Sequence, residues 1–323
     1  MKDITTYIHQ QLQSFYPPEE IRSMLRLILT TVCGWSYTQQ ICCKDKQISL
    51  NEKKQLYAII DRLKKMEPLQ YILGETEFYS IPLKVNPSVL IPRPETEELV
   101  DLIIKSDFVQ SWRSAPKTGA FSAETPASLQ RPVPDSDAFS AETPVLSPFR
   151  ILDIGTGSGN IAIALSKHIS EATVTAIDIS DEALHTAEKN AQMNQVEVHF
   201  IHADILDTAK AMSLFPENFD LIVSNPPYVK QDEKNALSAN VIDYEPHLAL
   251  FTPDNTPLLF YNAIIDFALH KLAPDGMIFF EINPLCDMEI IDLLHKKGFT
   301  QTKLLPDLSR KNRFVSVTLI INH

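Results

Sequence analysis

Three of the chain's eight glycines, Gly155, Gly157 and Gly159, fall within five positions. They follow an apolar run, Ile151-Leu152-Asp153-Ile154, and precede a helical stripe opened by Ile161, Ala164 and Leu165. Glycines at that junction permit positive φ and let a ligand lie against the backbone at a helix N-terminus. A strand, a glycine loop and a helix in this order therefore predict a binding loop at the edge of an open α/β sheet.

The rest of the C-terminal half agrees. Strands are expected at Val174–Asp178, Val198–Ile201, Phe219–Val223 and Met277–Glu281, with helices after Ser180, over Leu258–Leu272 and over Met288–Lys296. Alternating βα units imply a mostly parallel sheet covered on both faces. The closing runs, Thr300–Leu305 and Phe314–Ile321, bring the count to seven strands, and their short connection requires at least one to run antiparallel.

Upstream the pattern is helical over residues 1–73. Ile21, Met24, Leu25, Ile28, Leu29 and Val32 share one face of a helix entered through Pro17-Pro18. Ser49-x-x-Glu52 is a capping box before Leu56, Ile59, Ile60 and Leu63. Residues 74–91 read as a β-hairpin linker, with Glu77–Ser80 and Leu83–Val85 as strands and Pro82 between them. A second domain is expected over 92–323. Its first helix is entered at Pro94, with Glu95, Glu97 and Glu98 complementing the helix dipole. Within it, residues 113–148 break the pattern. Ala120-Phe121-Ser122-Ala123-Glu124-Thr125-Pro126 recurs from Ala138 to Pro144, and the proline-rich, weakly hydrophobic composition argues for a disordered insertion without a catalytic role.

Charge and cysteine usage disfavour several classes. A net charge of −12 with no basic run disfavours direct nucleic-acid binding. Cys33, Cys42, Cys43 and Cys286 form no C-x-x-C pair or disulfide framework, which fits reduced thiols in the cytoplasm and no metal site. Neither a signal peptide nor a membrane-spanning run is indicated, and the chain is expected to act as a monomer.

The loop alone leaves its ligand open. The dinucleotide pattern would place glycine at 160, where Asn160 stands. Asp178 ends the second strand, where a carboxylate can accept from both hydroxyls of a ribose, and Asp204 follows the third strand within reach of an adenine amino group. The plain alternatives are a helix-capping acid and a loop acid.

The fourth strand ends in Asn225-Pro226-Pro227-Tyr228. Ligands sit at the carboxyl ends of such strands, so this tetrapeptide faces the same cavity as the glycine loop. Two prolines stiffen the backbone and remove two N–H donors. What remains is acceptors: the Asn225 side-chain carbonyl and the Pro226 carbonyl, suited to both hydrogens of a planar –NH2 group. Tyr228 offers a flat face for stacking. Such a cluster suits attack by an amide nitrogen on a sulfonium methyl. As that nitrogen becomes pyramidal its hydrogens grow more acidic, and the hydrogen bonds strengthen in the transition state.

Leu90-Ile91-Pro92-Arg93-Pro94-Glu95-Thr96-Glu97, Asp153–Gly159 and Asn225–Tyr228 together resemble the peptide-chain release factor N5-glutamine methyltransferases. The resemblance covers the chain except 113–148. It implies a Rossmann-like methyltransferase sheet, S-adenosyl-L-methionine as cofactor, and methylation of the glutamine of a Gly-Gly-Gln tripeptide in release factors. It places the methionine part of the cofactor on Gly155, Thr156, Gly157, Ser158 and Gly159, its ribose on Asp178, and its adenine near Asp204 and Ile205, with Asn225 also among the cofactor-binding residues. The substrate amide falls on Asn225, Pro226, Pro227 and Tyr228. The Asn-Pro-Pro-Tyr motif is shared with adenine-N6 DNA methyltransferases and a ribosomal-protein glutamine methyltransferase, so both remain alternatives, as does a cofactor-binding scaffold without activity. Arg93, Arg310 and Arg313 are the candidate basic residues, Arg93 standing between two prolines in the interdomain element. A structural ion pair competes with a substrate role for Arg93.

Overall fold

A computed structural model describes residues 2–42, 47–114, 148–253 and 256–318. Five helices come first: α1 (Lys2–Leu12), α2 (Pro18–Cys33), α3 (Tyr37–Cys42), α4 (Leu50–Leu63) and α5 (Leu69–Leu73). The stripe expected on α2 is its buried face. Ile21, Met24 and Ile28 pack with Ile4, Ile8 and Leu12 of α1 and with Leu56, Ile60 and Leu63 of α4, while Leu25 and Val32 lie at the margin. Each fully buried aliphatic side chain contributes about 1.5–3 kcal/mol. The capping box forms as expected: Ser49 Oγ accepts from Glu52 N, and Glu52 Oε2 accepts from Ser49 N.

A two-stranded hairpin follows, β1 (Glu75–Phe78) and β2 (Ile81–Lys84), with Phe78 opposite Ile81. The turn is Tyr79-Ser80, not the Pro82 region anticipated. Both residues have positive φ, +49° and +59°, as a two-residue hairpin turn requires. Neither is glycine, but the surroundings hold the turn: Tyr79 N donates to Glu97 Oε1 (3.0 Å) and Tyr79 Oη to Asp101 Oδ1 (3.0 Å). Pro82 lies inside β2 opposite Glu77 and is exposed, a position where a two-stranded edge tolerates proline.

Next come α6 (Pro94–Lys105) and α7 (Asp107–Ser114). The pattern break anticipated at 113 therefore starts later. Arg113 and Ser114 still belong to a helix whose Val109 and Trp112 are buried, with the Trp112 ring 4.8 Å from that of Phe149. Residues 115–147, which carry both heptapeptides, lie outside the described residues, as do Cys43 and 319–323.

The remaining elements are β3 (Phe149–Ile154), α8 (Asn160–His168), β4 (Ala172–Asp178), α9 (Asp181–Asn194), β5 (His199–His202), α10 (Thr208–Ser213), β6 (Phe219–Ser224), α11 (Ala239–Tyr244), α12 (His247–Leu250), α13 (Leu259–Lys271), β7 (Leu272–Glu281), α14 (Asp287–Lys296), β8 (Gln301–Pro306) and β9 (Asn312–Thr318). The seven-stranded sheet has the order β5-β4-β3-β6-β7-β9-β8. All pairings are parallel except those of β9, which runs antiparallel to both β7 and β8. The antiparallel strand is thus last in the chain but sits inside the sheet. β7 begins earlier than expected: Leu272 pairs with Phe219, and the Asp275-Gly276 irregularity follows before Met277 meets Leu221. Gly276 is required there, because a Cβ would lie 2.8 Å from the Ala273 carbonyl oxygen.

Strand residues alternate between two cores. Leu152, Ile154, Ile222, Ile278 and Phe280 face α10, α13 and α14; Ile151, Leu221, Val223 and Phe279 face α6, α7 and α8. Order reverses between β3 and β6, which opens a crevice at their carboxyl ends. No described helix is long and apolar enough to cross a membrane. Cys42 and Cys286 are free thiols.

Candidate active site

The crevice holds a cavity of about 320 Å³, within the size range of small-molecule sites. Its floor is the glycine loop. Gly155 and Thr156 donate their N–H groups to the Ile177 carbonyl (2.9 and 3.0 Å), which ties the loop to β4. Gly155 and Gly157 have φ of +76° and +55°, and a Cβ on either would meet nothing within 4 Å. Their missing side chains leave room beside the cavity they line.

Gly159 differs. It does not line the cavity. A Cβ there would lie 3.0 Å from both Ala187 Cβ and Ile163 Cδ1, so its requirement is contact between α8 and α9. Asn190 of α9 locks the loop from behind. It is fully buried, donates to the Ser158 and Lys84 carbonyls (both 2.9 Å), and accepts from Lys84 N (2.6 Å), joining loop and hairpin through one amide.

Asp178 lines the cavity at the end of β4. Its Oδ2 accepts from Gly157 N (2.8 Å) and its Oδ1 from Ser180 N (3.0 Å). Burial pushes its pKa up, opposed by these hydrogen bonds. The capping alternative weighed for Asp178 belongs to Ser180, whose Oγ accepts from Ala183 N. Asp204 and Ile205 also line the cavity, with Leu206, Phe260 and Ile264 as apolar wall. Behind the loop, Asp153 is fully buried. Its Oδ2 accepts from Thr156 Oγ1 (2.7 Å) and Ala162 N (3.2 Å), and desolvation pushes its pKa up to about 7.

Opposite the loop, Asn225, Pro226 and Pro227 line the cavity; Tyr228 does not. The Tyr228 ring packs against the core beneath α13, and its hydroxyl donates to Glu281 Oε1 (3.2 Å). Asn225 Nδ2 donates to Thr96 Oγ1 (3.2 Å), and Thr96 Oγ1 donates to Glu281 Oε2 (2.7 Å). Arg93 lines the cavity while its Nη2 pairs with Glu245 Oε1 (2.8 Å), a buried carboxylate that also accepts from Ile91 N. The partner is therefore distant in sequence rather than a local glutamate. Arg313 Nε pairs with Asp307 Oδ2 (3.2 Å), and Arg310 sits exposed in the β8–β9 turn at φ +62°. Among the described residues no group of three or more His, Cys, Asp or Glu side chains could hold a metal.

Thr96, Glu245 and Glu281 were not among the residues singled out from the sequence. Glu281 had one available signal, an acid closing the apolar run Met277-Ile278-Phe279-Phe280.

Comparison with known proteins follows the same division of the chain. Residues 139–247 match the methyltransferase small domain, and residues 3–74 match the PrmC N-terminal domain. Fold and crevice thus define a Rossmann-like methyltransferase with a helical N-terminal unit. The chain is 39% identical to a release factor glutamine methyltransferase of Flavobacterium psychrophilum, over 98% of each chain. It is 38% identical to that of Bacteroides thetaiotaomicron, over 98% of this chain and 99% of the relative. A third, from Lactococcus lactis subsp. lactis, is 36% identical over 84% of this chain and 85% of its own length. The chain belongs to the release factor glutamine methyltransferase family, as the three motifs implied.

Proposed function

We propose that this methyltransferase uses S-adenosylmethionine to methylate N5 of the glutamine in the Gly-Gly-Gln motif of peptide chain release factors. The relatives carry release factors and glutamine in their name, which supports the substrate class. The residues present fit the cofactor. Open space at Gly155 and Gly157 suits close approach of a ligand, Asp178 offers a carboxylate to a ribose, and Asp204, Ile205 and Phe260 border an apolar slot for a base. When bound there, the cofactor supplies an electrophilic methyl group on a sulfonium sulfur.

The chain's own part is to hold the amide. The observation that carries the reading is the state of Asn225: its NH2 group is engaged by Thr96, and its carbonyl oxygen has no protein donor among the described residues. Asn225 faces the cavity beside Pro226 and Pro227, neither of which has an N–H to compete. The Asn225 and Pro226 carbonyls accept hydrogen bonds from the two N–H groups of the glutamine amide and aim its nitrogen at the methyl; as the N–C bond forms the S–C bond would break to leave a neutral thioether, and the nitrogen loses one proton to solvent. These hydrogen bonds strengthen as the nitrogen gains positive charge, which is where they accelerate transfer. Tyr228 contributes from behind, by holding Glu281. Thr156 and Ser158 act within the loop that receives the methionine part, with Gly159 setting the loop's distance from α9.

The helical unit before β1 is the docking domain for the release factor in this reading, and the enzyme works as a monomer in the cytoplasm, where its substrate is found. A DNA substrate is disfavoured by the net charge of −12. Incubating enzyme and cofactor with a purified release factor, followed by peptide mass spectrometry, tests the proposal. The expected result is one added methyl on the tripeptide glutamine. Methylation of adenine in DNA, or none on the release factor, would overturn it.

A further inference from the structure

An asparagine amide can present either its oxygen or its NH2 to a cavity, and only its neighbours decide which. For Asn225 the decision is made two residues away in the hydrogen-bond chain. Glu281 closes β7 and is 1% exposed; Thr96, in the first turn of α6, is 2% exposed. The Thr96 hydroxyl has a single hydrogen, and it points at the Glu281 carboxylate at 2.7 Å. Its lone pairs are left to accept, so it can bond Asn225 only through Nδ2, at 3.2 Å. The second Glu281 oxygen is taken by the Tyr228 hydroxyl. One carboxylate thereby fixes the direction of every hydrogen bond between it and the cavity wall.

We propose that Thr96, oriented by Glu281, is the positioning residue that keeps Asn225 with its carbonyl toward the substrate amide. The inference rests on the glutamine-methylation reading above and adds the device that selects the acceptor. It also explains why two separate motifs occur in one chain: the Pro-Arg-Pro-Glu-Thr-Glu element supplies the hydroxyl against which the Asn-Pro-Pro-Tyr amide is set.

The device is sensitive to protonation. Burial pushes the Glu281 pKa up to about 7, opposed by the Thr96 and Tyr228 hydroxyls and the Arg313 charge, while Glu95 adds to the rise. The Tyr261 hydroxyl on α13 donates to the Glu281 backbone carbonyl (3.0 Å). A protonated Glu281 donates to Thr96 instead of accepting from it. Thr96 then turns its own hydrogen toward Asn225, the amide reverses, and an NH2 group faces the substrate NH2. Turnover falls as pH drops through the Glu281 pKa.

The test compares wild type, Thr96→Val, Thr96→Ser and Glu281→Gln with a release factor and S-adenosylmethionine. Loss of one buried orienting hydrogen bond in the transition state lowers activity ~10–100-fold. Thr96→Val should lose that much in kcat with cofactor affinity within about threefold, and Thr96→Ser should recover most of it. Wild-type kcat should rise through an inflection at about 7, and Glu281→Gln should be slow with that inflection gone. An active wild type beside Thr96→Val with equal kcat would overturn the inference alone. So would a flat wild-type profile between pH 6 and 8, which needs no variant to fold. A wild type inert on release factor would remove the methylation reading and this inference with it.

Discussion

Gly157 and Gly159 stand two positions apart and meet different constraints. Both have positive φ, which disfavours any L side chain by roughly 1–2 kcal/mol. At Gly157 a Cβ would enter open space beside the cavity; at Gly159 it would press on Ala187 and Ile163. Gly157→Ala should therefore weaken cofactor binding at least ~10-fold by calorimetry, for about 1–2 kcal/mol of lost stability. Gly159→Ala should lose about 2–5 kcal/mol, strain and overpacking together, by denaturant titration. Similar stability losses for both would refute the distinction. At this scale the loop, Asp178, Asp204 and Asn225 were legible as positions bordering the crevice, because each lies at or just after a strand end marked by an apolar run. Thr96 and Glu281 were not legible as partners. Their side chains meet across 185 residues, and neither periodicity nor spacing encodes such a contact. The same holds for Arg93 and Glu245.

Among the elements, helices with a clear stripe and a cap were legible nearly to the residue, as α2 and α4 illustrate. The hairpin was legible as a hairpin but not in register. Pro82 looked like the turn, whereas Tyr79-Ser80 makes it with help from Glu97 and Asp101 of α6, an influence external to the local sequence. The start of the 113–148 segment was displaced for a related reason: α7 is short, and the burial of Trp112 against Phe149 marks it as part of the fold. That contact brings the end of α7 to the amino end of β3, opposite the carboxyl edge that carries the site. Replacing residues 115–147 by a short flexible linker should leave kcat within about twofold and change stability little, since loop-length effects on closure entropy are only ~0.6 kcal/mol per doubling. Loss of cooperative unfolding or of turnover would show that the segment does more.

For the molecule as a whole, strand alternation foretold a parallel sheet and the short final connection foretold an antiparallel strand. Placement of β9 between β7 and β8 could not be read from order alone. The topology explains the division of labour at the site. In the proposed function the β3 and β4 ends receive the cofactor and the β6 end the substrate amide, while β7 places Glu281 behind Asn225 through Thr96. The hairpin joins this frame through Phe78, Ile81 and Leu83, which pack in the core shared with α6 and α8, and Tyr71 of α5 shares a small core with Val85, Val89, Ile91, Ala183 of α9 and Tyr244 of α11. The proposed function depends on Asn225 as an acceptor for the reacting amide more than as a cofactor contact. Single-turnover methyl transfer by Asn225→Ala, measured beside its cofactor affinity, tests this most directly. The expected result is a fall in rate of ~100-fold or more, as for loss of a preorganised group at a reacting centre, with cofactor Kd nearly unchanged. Transfer at the wild-type rate, or a rate restored in full by saturating cofactor, would contradict it.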